Sequence, residues 1–533
     1  MFKIWNSLRK PLIISVSILL ISLFGIYIFS SPRVTGDAAS HLLLAVSPIL
    51  KIGVPYKDFW DIKPPTIPLV LFTWSSIFGF GINSVRFINI LLPILSVSLT
   101  YLIYSKIFKT PVFEIVFLST ILVLLSPFLH SIMLPSEILG LTLSLLALFV
   151  LIESKSDFCK YFFSGFLFFL ASQSKEPFTF TVLAILPIFV YSLLKNGAKK
   201  FTKDLLFFSL GIFSGFVLIL IYLNSLGSLV AYKDVFFFKN SIYKLTYNNL
   251  SNNFGSGILT AERTFTEFPL GILILFILST VSFAVVNKYR KYFIFDNSKL
   301  AIKSFRVLDS ELVVKLTVIF YALGSLIGFG LSNTFSSHYL IQVVVPIYIF
   351  LGTFISYLYN NATFLQYKSK KRFYLSLVIF LFSIVIILPK RQYLKSYLPK
   401  KSEIVMKDEI YDSEKRITEL TTKDQCILSI YGWGASENYL YSGRRSCTRY
   451  FLPNIVVQDW QKQEYKRSIQ ENPPAAIIYQ TNGSDMNIEK FESEVINLSK
   501  ITRNCYKSDI EVSSVFVPKD TNSLITCVRD NSN

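Results

Sequence analysis

Residues 31–65 are dense in side chains that can do acid–base and phosphate chemistry. The ionisable and hydroxyl-bearing members of interest are Asp37, His41, Tyr56, Asp58, Asp61 and Lys63. A carboxylate near a hydroxyl group can act as a general base. A lysine ammonium can bind a phosphate and stabilise the negative charge that develops as the phosphate leaves. Together these residue types suit the transfer of a group from a phosphate to a hydroxyl or an amine.

Other reaction classes find no support in the motifs of the sequence. The chain has no GxSxG nucleophile motif, no Walker loop and no HExxH zinc motif. With only three histidines, His41, His130 and His338, a histidine-rich metal centre is disfavoured.

The residues around this stretch indicate how it is positioned. The run HLLLAVSPIL at 41–50 is apolar but short for a membrane span, so we expect it to lie along the bilayer surface. Pro64 and Pro65 fix φ and restrict the residue before them, which stiffens the chain where it returns to the membrane. The sequence therefore predicts a small rigid cap with its carboxylates and the Lys63 ammonium facing inward. The alternative is an ordinary solvated loop.

The composition is that of a membrane protein with many spans. Of 533 residues, 52% are hydrophobic and 16% are charged, against about 25% charged residues in an average soluble protein. The net charge of +19 resides in short loops between apolar runs, where lysine and arginine set orientation. Because no basic groove with interleaved aromatic residues is present, nucleic acid is not a predicted partner, whereas membrane lipids are.

Eleven apolar runs are predicted to span the membrane. They lie at 11–30, 84–105, 112–130, 136–152, 159–173, 176–194, 205–224, 269–286, 312–331, 340–358 and 372–389. The run 64–80 is predicted to lie in the interface, because counting it as a span would place the lysine-rich loops outside. The N-terminus is then cytoplasmic, and the first run is a retained helix, not a signal peptide. The C-terminus faces outward.

Two domains are predicted. Residues 1–390 form the membrane domain, in which 31–83 is the first outer loop with interfacial helices. The aromatic and basic loop 225–268 is either a lid over the substrate or an anchor in the aromatic belt. Residues 391–533 form a small extracytoplasmic α/β domain, with charged, helix-like residues at 391–425.

The last domain carries strand and disulfide signals. Ile427–Ile430, Ile477–Tyr479 and Val512–Val517 are predicted strands, separated by turn signals. Four of the five cysteines, Cys426, Cys447, Cys505 and Cys527, lie in this domain. Two disulfides of undetermined pairing, in an oxidising compartment, are therefore predicted. Metal binding is the competing interpretation, although no CxxC spacing supports it.

The order of several short motifs resembles that of bacterial GT-C glycosyltransferases. The motifs are Gly36-Asp37, GVPYKDFWDIKPP at 53–65, Arg86, SKEP at 174–177 and SHY at 337–339. They are similar to the outer loops of the protein O-mannosyltransferase-like proteins and of the lipid A aminoarabinose transferase. The resemblance covers about residues 1–390. The stretch at 431–434, with 439–445, is similar to the outer domain of related members.

This resemblance implies a polytopic α-helical GT-C fold in the bacterial inner membrane and inverting transfer of a sugar from a polyprenyl-phosphate donor. It implies that Asp37 is the catalytic carboxylate, as the base or as the group that orients the acceptor. Lys63, Lys175 and Tyr339 would contact the donor phosphate. The further substrate-binding candidates are Tyr56, Asp58, Asp61, Glu137 and His338.

The sugar, the acceptor and the cofactors are left open. The acceptor is a lipid, a protein or a polysaccharide. Asp37 is followed by Ala38, where the protein mannosyltransferases have Asp-Glu. No cofactor follows from the sequence, and dependence on a divalent cation is undecided.

Simpler interpretations of some of these residues stay open. His338 and Tyr339 could be interfacial anchors, Lys175 could extend to the interface, and Glu137 could be a charge at a helix N-terminus. The alternative functions are a transporter or flippase of lipid-linked sugars and a non-enzymatic scaffold whose tail binds a cell-wall partner. A transporter would favour internal repeats and helices broken at mid-membrane, and the sequence shows neither.

Overall fold

The computed structural model places most of the chain in helices. It describes residues 2–30, 34, 36–108, 112–125, 136–236, 310–330, 340–360, 412–430, 435–452, 456, 458–479 and 488–532. The chain divides into two compact units. The first unit consists of Met1–Ser30, Phe87–Leu218 and Lys244–Ile404, and the second consists of Ser31–Arg86, Ile219–Tyr243 and Val405–Asn533.

The helices up to Asn360 are long and apolar. In chain order they are α1 (Phe2–Ser30), α2 (Gly36–Leu50), α3 (Thr66–Phe78), α4 (Ile82–Ile107), α5 (Val112–Leu124), α6 (Ser136–Glu153), α7 (Asp157–Ser172), a 3₁₀ helix (Glu176–Ile185), α8 (Leu186–Asn196), α9 (Ala198–Ser225), α10 (Ser310–Gly330) and α11 (Ile341–Asn360). Glycines end two of them: Gly79 after α3 and Gly197 after α8 adopt φ of 77° and 81°, which glycine tolerates without strain.

Five helices of the described part are long and apolar enough to cross a membrane. They are Ile82–Ile107, Ser136–Glu153, Glu176–Asn196, Ala198–Ser225 and Ser310–Gly330. Each matches a predicted span, so the chain is a multi-pass α-helical membrane protein. The runs at 11–30, 112–130 and 340–358 contain shorter apolar helices, and the run at 159–173 lies in the 16-residue helix α7. The runs at 269–286 and 372–389 lie outside the described residues. The count of eleven and the sidedness stay predictions.

Small residues let α10 pack closely on the 3₁₀ helix within the first unit. Gly324 faces the Phe180 carbonyl and Gly328 faces the Pro177 carbonyl, so closely that no side chain would fit at either position. Small residues four positions apart are the usual means by which membrane helices bring their backbones together. The ten residues of the 3₁₀ helix exceed the usual length of such a helix, and α10 covers them along one side.

Hydroxyl groups link further helices of the first unit. The Tyr104 hydroxyl of α4 donates to the Val345 carbonyl of α11 at 3.0 Å. Ser144 of α6 and Tyr321 of α10 lie 3.0 Å apart through their hydroxyl oxygens. Each such bond contributes on average about 0.6 kcal/mol in a membrane, so these contacts fix helix positions more than they stabilise the fold.

The C-terminal part is an α/β sheet domain. Its helices are α12 (Asp412–Leu420), α13 (Ala435–Ser442), α14 (Asp459–Glu471), α15 (Ile488–Glu494), α16 (Leu498–Cys505) and α17 (Leu524–Asn531). Its strands are β1 (Cys426–Ile430), β2 (Arg445–Ser446), β3 (Ala476–Tyr479), β4 (Tyr506–Ser508) and β5 (Val515–Pro518). The strand order is β2-β1-β3-β5-β4, parallel on the β2-β1-β3 side and antiparallel from β3 to β4.

Two disulfides close this domain, as predicted, and the pairing is now defined. Cys426 pairs with Cys447, and Cys505 pairs with Cys527. The first links β1 to the residues after β2, and the second links the end of α16 to α17. The two compact units are divided in another way than the predicted domains, because Ser31–Arg86 belongs to the same unit as Val405–Asn533. The predicted domain boundary at 390 stays a prediction.

Candidate active site

The loop that joins α2 to α3 carries most of the predicted site residues and has one strained residue. Tyr56 has φ of 63°, a left-handed conformation that costs a residue other than glycine about 1–3 kcal/mol. Its side chain is completely buried, and its hydroxyl donates to the Lys63 carbonyl at 3.0 Å. Burial raises the pKa of the Tyr56 hydroxyl well above its ordinary value, so the phenol stays protonated and keeps donating. Tyr56 thus fixes the backbone at Lys63.

Asp61 and Lys63 form an ion pair inside this unit. Asp61 is fully buried, and the Lys63 ammonium lies 3.6 Å from its Oδ2 atom, with the Lys63 side chain 15% exposed. The same carboxylate accepts from the Ser40 hydroxyl of α2 at 2.6 Å and from the Lys63 backbone N–H at 3.2 Å. A buried carboxylate needs such partners, and here they hold the lysine next to a negative charge that cannot move away.

Asp58 shapes the loop. Its Oδ2 atom accepts from the Val54 backbone N–H at 2.8 Å. At Gly53 an added Cβ would lie 2.7 Å from the Phe59 ring and 2.9 Å from the Asp58 Cβ. Only glycine fits there, because the turn GVPYKD brings the side chains of Asp58 and Phe59 against Gly53. The predicted contact of Asp58 with substrate stays a prediction.

The loop packs on the C-terminal part of the same unit. The Trp60 backbone N–H donates to the Arg449 carbonyl at 2.7 Å, and the Trp60 and Tyr450 ring centres are 5.6 Å apart. The Phe59 ring lies 5.5 Å from that of Phe451. Both loop side chains are completely buried. Burying two aromatic side chains stabilises the docked position by several kcal/mol.

A second contact joins the start of α2 to the same sheet domain. The Val34 backbone N–H donates to the Tyr441 hydroxyl at 2.8 Å. Asp37 is the second residue of α2, a few residues further on, and its side chain lies outside the described atoms. The structure therefore places the predicted catalytic residue on α2, the helix that also carries Ser40. Its catalytic role stays a prediction.

Glu137 and Lys175 lie in the other unit, where they contact each other. Glu137 is in the first turn of α6 and is 1% exposed, and the Lys175 ammonium lies 3.0 Å from its Oε1 atom. Ser136 donates to the other carboxylate oxygen at 3.2 Å. A carboxylate buried this deeply in an apolar bundle is costly unless its cation is retained. The predicted roles of both residues toward substrate stay predictions.

The remaining predicted features lie outside the described residues. They are His338, Tyr339, the part of the predicted lid at 237–268 and the stretch 431–434. Among the described side chains, no group of three or more His, Cys, Asp or Glu residues is arranged to hold a metal ion. The question of a divalent cation is untested.

Two residues that support the site were missed in the sequence. Ser40 follows Asp37 by three positions, one helical turn, and that spacing could have marked it. The Arg449 carbonyl gives no sequence signal, because a backbone contact across the chain depends on the fold alone.

A comparison with protein families finds a match over part of the chain. Residues 62–223 match the family described as dolichyl-phosphate-mannose-protein mannosyltransferase. This range includes the IKPP motif, Arg86 and the SKEP motif, so the resemblance is confirmed there. No curated protein matches the chain.

Two solved structures align with most of this chain at low sequence identity. The archaeal oligosaccharyltransferase AglB from Archaeoglobus fulgidus, in complex with an inhibitory peptide and a dolichol-phosphate, shares 12% identity and a TM-score of 0.48, over 88% of this chain and 69% of its own. ArnT from Cupriavidus metallidurans, bound to undecaprenyl phosphate, shares 12% identity and a TM-score of 0.44, over 98% of each chain. Similarities of this size carry no argument about chemistry.

Proposed function

We propose that this chain, which matches a mannosyltransferase family over residues 62–223, transfers a sugar from a polyprenyl-phosphate donor to an extracytoplasmic acceptor. The observation that carries the proposal is the Asp61–Lys63 pair. A partly exposed ammonium is held by a fully buried carboxylate, on a loop that leads directly into an apolar helix. A lipid-linked phosphate reaches such a place through the bilayer, so no soluble nucleotide sugar is needed.

The reaction follows from the residue types. The acceptor oxygen attacks the anomeric carbon from the face opposite the phosphate, the new carbon–oxygen bond forms, and the bond to the phosphate oxygen breaks. The acceptor proton passes to the Asp37 carboxylate, and the polyprenyl phosphate leaves with the electron pair of the broken bond. This single displacement inverts the anomeric centre.

Lys63 acts on the leaving group. As the bond to phosphate breaks, the phosphate gains a second negative charge, and a fixed cation beside it stabilises the transition state more than the bound donor. At an effective dielectric constant of 20, two unit charges about 4 Å apart interact by about 4 kcal/mol. Because Asp61 and the loop hold the lysine before the donor binds, little reorganisation is needed.

Purified full-length protein and synthetic polyprenyl-phosphate sugars test this proposal, beginning with the mannose donor that the family description names. We expect Lys63→Ala and Asp37→Asn to lower kcat/KM at least 10²-fold, while both proteins still insert and fold. Lys57, an exposed lysine of the same loop, provides the matched control, and Lys57→Ala should retain wild-type transfer. Full activity of both Lys63→Ala and Asp37→Asn would refute the mechanism. Absence of transfer by the wild type with every donor and acceptor class would refute the function.

A further inference from the structure

The N-terminus of α3 has the properties of an anion site. The helix has 13 residues and begins at Thr66, directly after Pro65, and no side chain caps it among the described residues. Its first turn holds no acidic residue. The first intrahelical bond runs from the Leu69 N–H to the Pro65 carbonyl at 2.9 Å. The N–H groups of Thr66 and Ile67 precede that bond, at the positive end of the helix dipole.

A buried hydroxyl at the same helix end is the second observation. Thr66 is completely buried, and its Oγ1 atom has no hydrogen-bond partner among the described residues. Leaving a buried hydroxyl unsatisfied costs about 1–3 kcal/mol. Each such group in a folded protein calls for an explanation, and a water or an ion that completes its hydrogen bonding is one of those known.

Lys63 brings a positive charge to this helix end. It lies three positions before Thr66, and the two residues between them are the rigid prolines 64 and 65. The Tyr56 hydroxyl donates to the Lys63 carbonyl, which fixes the backbone between Lys63 and the first residue of α3. One ammonium, two backbone N–H groups and one hydroxyl therefore lie on a short, stiff segment.

We infer that the first turn of α3 binds the phosphate of the lipid-linked donor, with the Thr66 hydroxyl and the N–H groups of Thr66 and Ile67 as its ligands beside Lys63. This inference rests on the proposed function and adds three ligands to the phosphate contact of Lys63. Helix N-termini are suited to phosphate because their N–H groups point at the anion and the dipole favours negative charge. The preference grows as the phosphate gains its second charge, so the same groups stabilise the transition state in which the bond between sugar and phosphate breaks.

A binding experiment on purified full-length protein tests the role of Thr66. The probe is a polyprenyl monophosphate without sugar, and the parallel probe is inorganic phosphate. Thr66→Val removes the hydroxyl and keeps the shape, whereas Thr66→Ser keeps the hydroxyl. We expect Thr66→Val to weaken binding of the polyprenyl phosphate at least about tenfold, as expected for one hydrogen bond to a charged group, and Thr66→Ser to bind within about twofold of wild type.

Ser75 provides the matched control. It is a buried residue of the same helix whose Oγ atom also has no partner among the described residues, but it lies near the other end of α3. Ser75→Ala should leave binding unchanged. Wild-type affinity of Thr66→Val, or an equal loss in Ser75→Ala, would overturn the inference.

Hydrogen exchange of the wild-type protein gives a readout that needs no variant. Three prolines, at 64, 65 and 68, leave the peptide 63–69 with few exchanging amides, those of Thr66 and Ile67 among them. Polyprenyl phosphate should slow their exchange, and unchanged exchange with bound lipid would overturn the inference. Equal slowing by inorganic phosphate at the same concentration would overturn the lipid as the ligand. Wild-type transfer kinetics in Thr66→Val would refute this inference alone, whereas Thr66-dependent binding without any transfer would refute only the proposed function.

Discussion

The two disulfides of the sheet domain close loops of nearly equal length but differ in what they support. The Cys426–Cys447 and Cys505–Cys527 pairs are separated by 21 and 22 residues. Arg449 lies two residues after Cys447, and its carbonyl accepts a hydrogen bond from the Trp60 N–H. Trp60 belongs to the loop that joins α2 to α3, which is called the site loop below. No such contact with the site loop involves the second disulfide within the described part of the chain. Removing each pair therefore separates general stability from support of the loop.

The expected loss of stability is the same for both pairs. In the chain-entropy account, closing a loop of this length stabilises the folded state by about 3.3 kcal/mol at 25 °C. Cys→Ala substitution of either pair should lower the free energy of unfolding of the sheet domain by about that amount. The effect on the loop should differ, because only Cys426–Cys447 holds the segment on which Trp60 docks.

Hydrogen exchange of the peptide around Trp60 and sugar-transfer kinetics measure the effect on the loop. We expect the Cys426/Cys447 double variant to expose the Trp60 amide and to lower kcat with a smaller change in acceptor KM. The Cys505/Cys527 double variant should show wild-type values for both at the same reduced stability. Equal loop exposure in the two variants, or protection of Trp60 in both, would refute the view that the first disulfide supports the site.

Two further predictions concern ion pairs. Lys175→Met should destabilise the protein by about 3–5 kcal/mol, because it leaves the buried Glu137 carboxylate without its cation, whereas Glu137→Gln should cost less, since Lys175 is 23% exposed and can reach water. Thermal unfolding of both variants checks the order, and a larger loss in Glu137→Gln would contradict it. Hydrogen bonds from Arg416 lower the pKa of Asp509 below its ordinary value of 3.8. Since the unfolded chain then binds more protons near pH 4, this contact stabilises the sheet domain above that pH and is lost as the pH falls through the folded-state pKa. Denaturant unfolding between pH 2.5 and 6 should show a shallower acid loss in Arg416→Gln, and identical profiles would contradict the assignment.

Local sequence signals predicted the elements whose own residues determine them. The apolar runs at 84–105 and 136–152 form helices long enough to cross a membrane, because an α-helix satisfies the hydrogen bonds of its backbone within itself. The strand at 427–430 was predicted from a short apolar run, and in the structure the strand begins one residue earlier, at Cys426. The strands Arg445–Ser446 and Tyr506–Ser508 were missed because two and three residues at the edges of a sheet carry no periodicity to detect.

The candidate site was predicted in part, and the missing part has a physical cause. Residue types and order pointed to Asp61 and Lys63, because their chemistry can be read from the chain. The sequence did not indicate that Ser40 donates to Asp61 or that Trp60 docks on Arg449, since both contacts depend on how distant segments pack. Nor did it indicate that Glu137 and Lys175 pair with each other, which requires α6 and the corner before the 3₁₀ helix to lie side by side.

The way in which the loop is held explains why a strained residue is tolerated beside the candidate site. A flexible loop could give Tyr56 a relaxed conformation, but the lysine would then lose its fixed position and each turnover would include the ordering of the loop. Burial of Phe59 and Trp60 exceeds the cost of about 1–3 kcal/mol for the left-handed residue. The Lys63–Asp61 separation of 3.6 Å is longer than a direct hydrogen bond. In the proposed mechanism, a phosphate oxygen can therefore approach the ammonium without first breaking such a bond to Asp61. The proposal accordingly assigns Asp61 to positioning the lysine and the base role to Asp37.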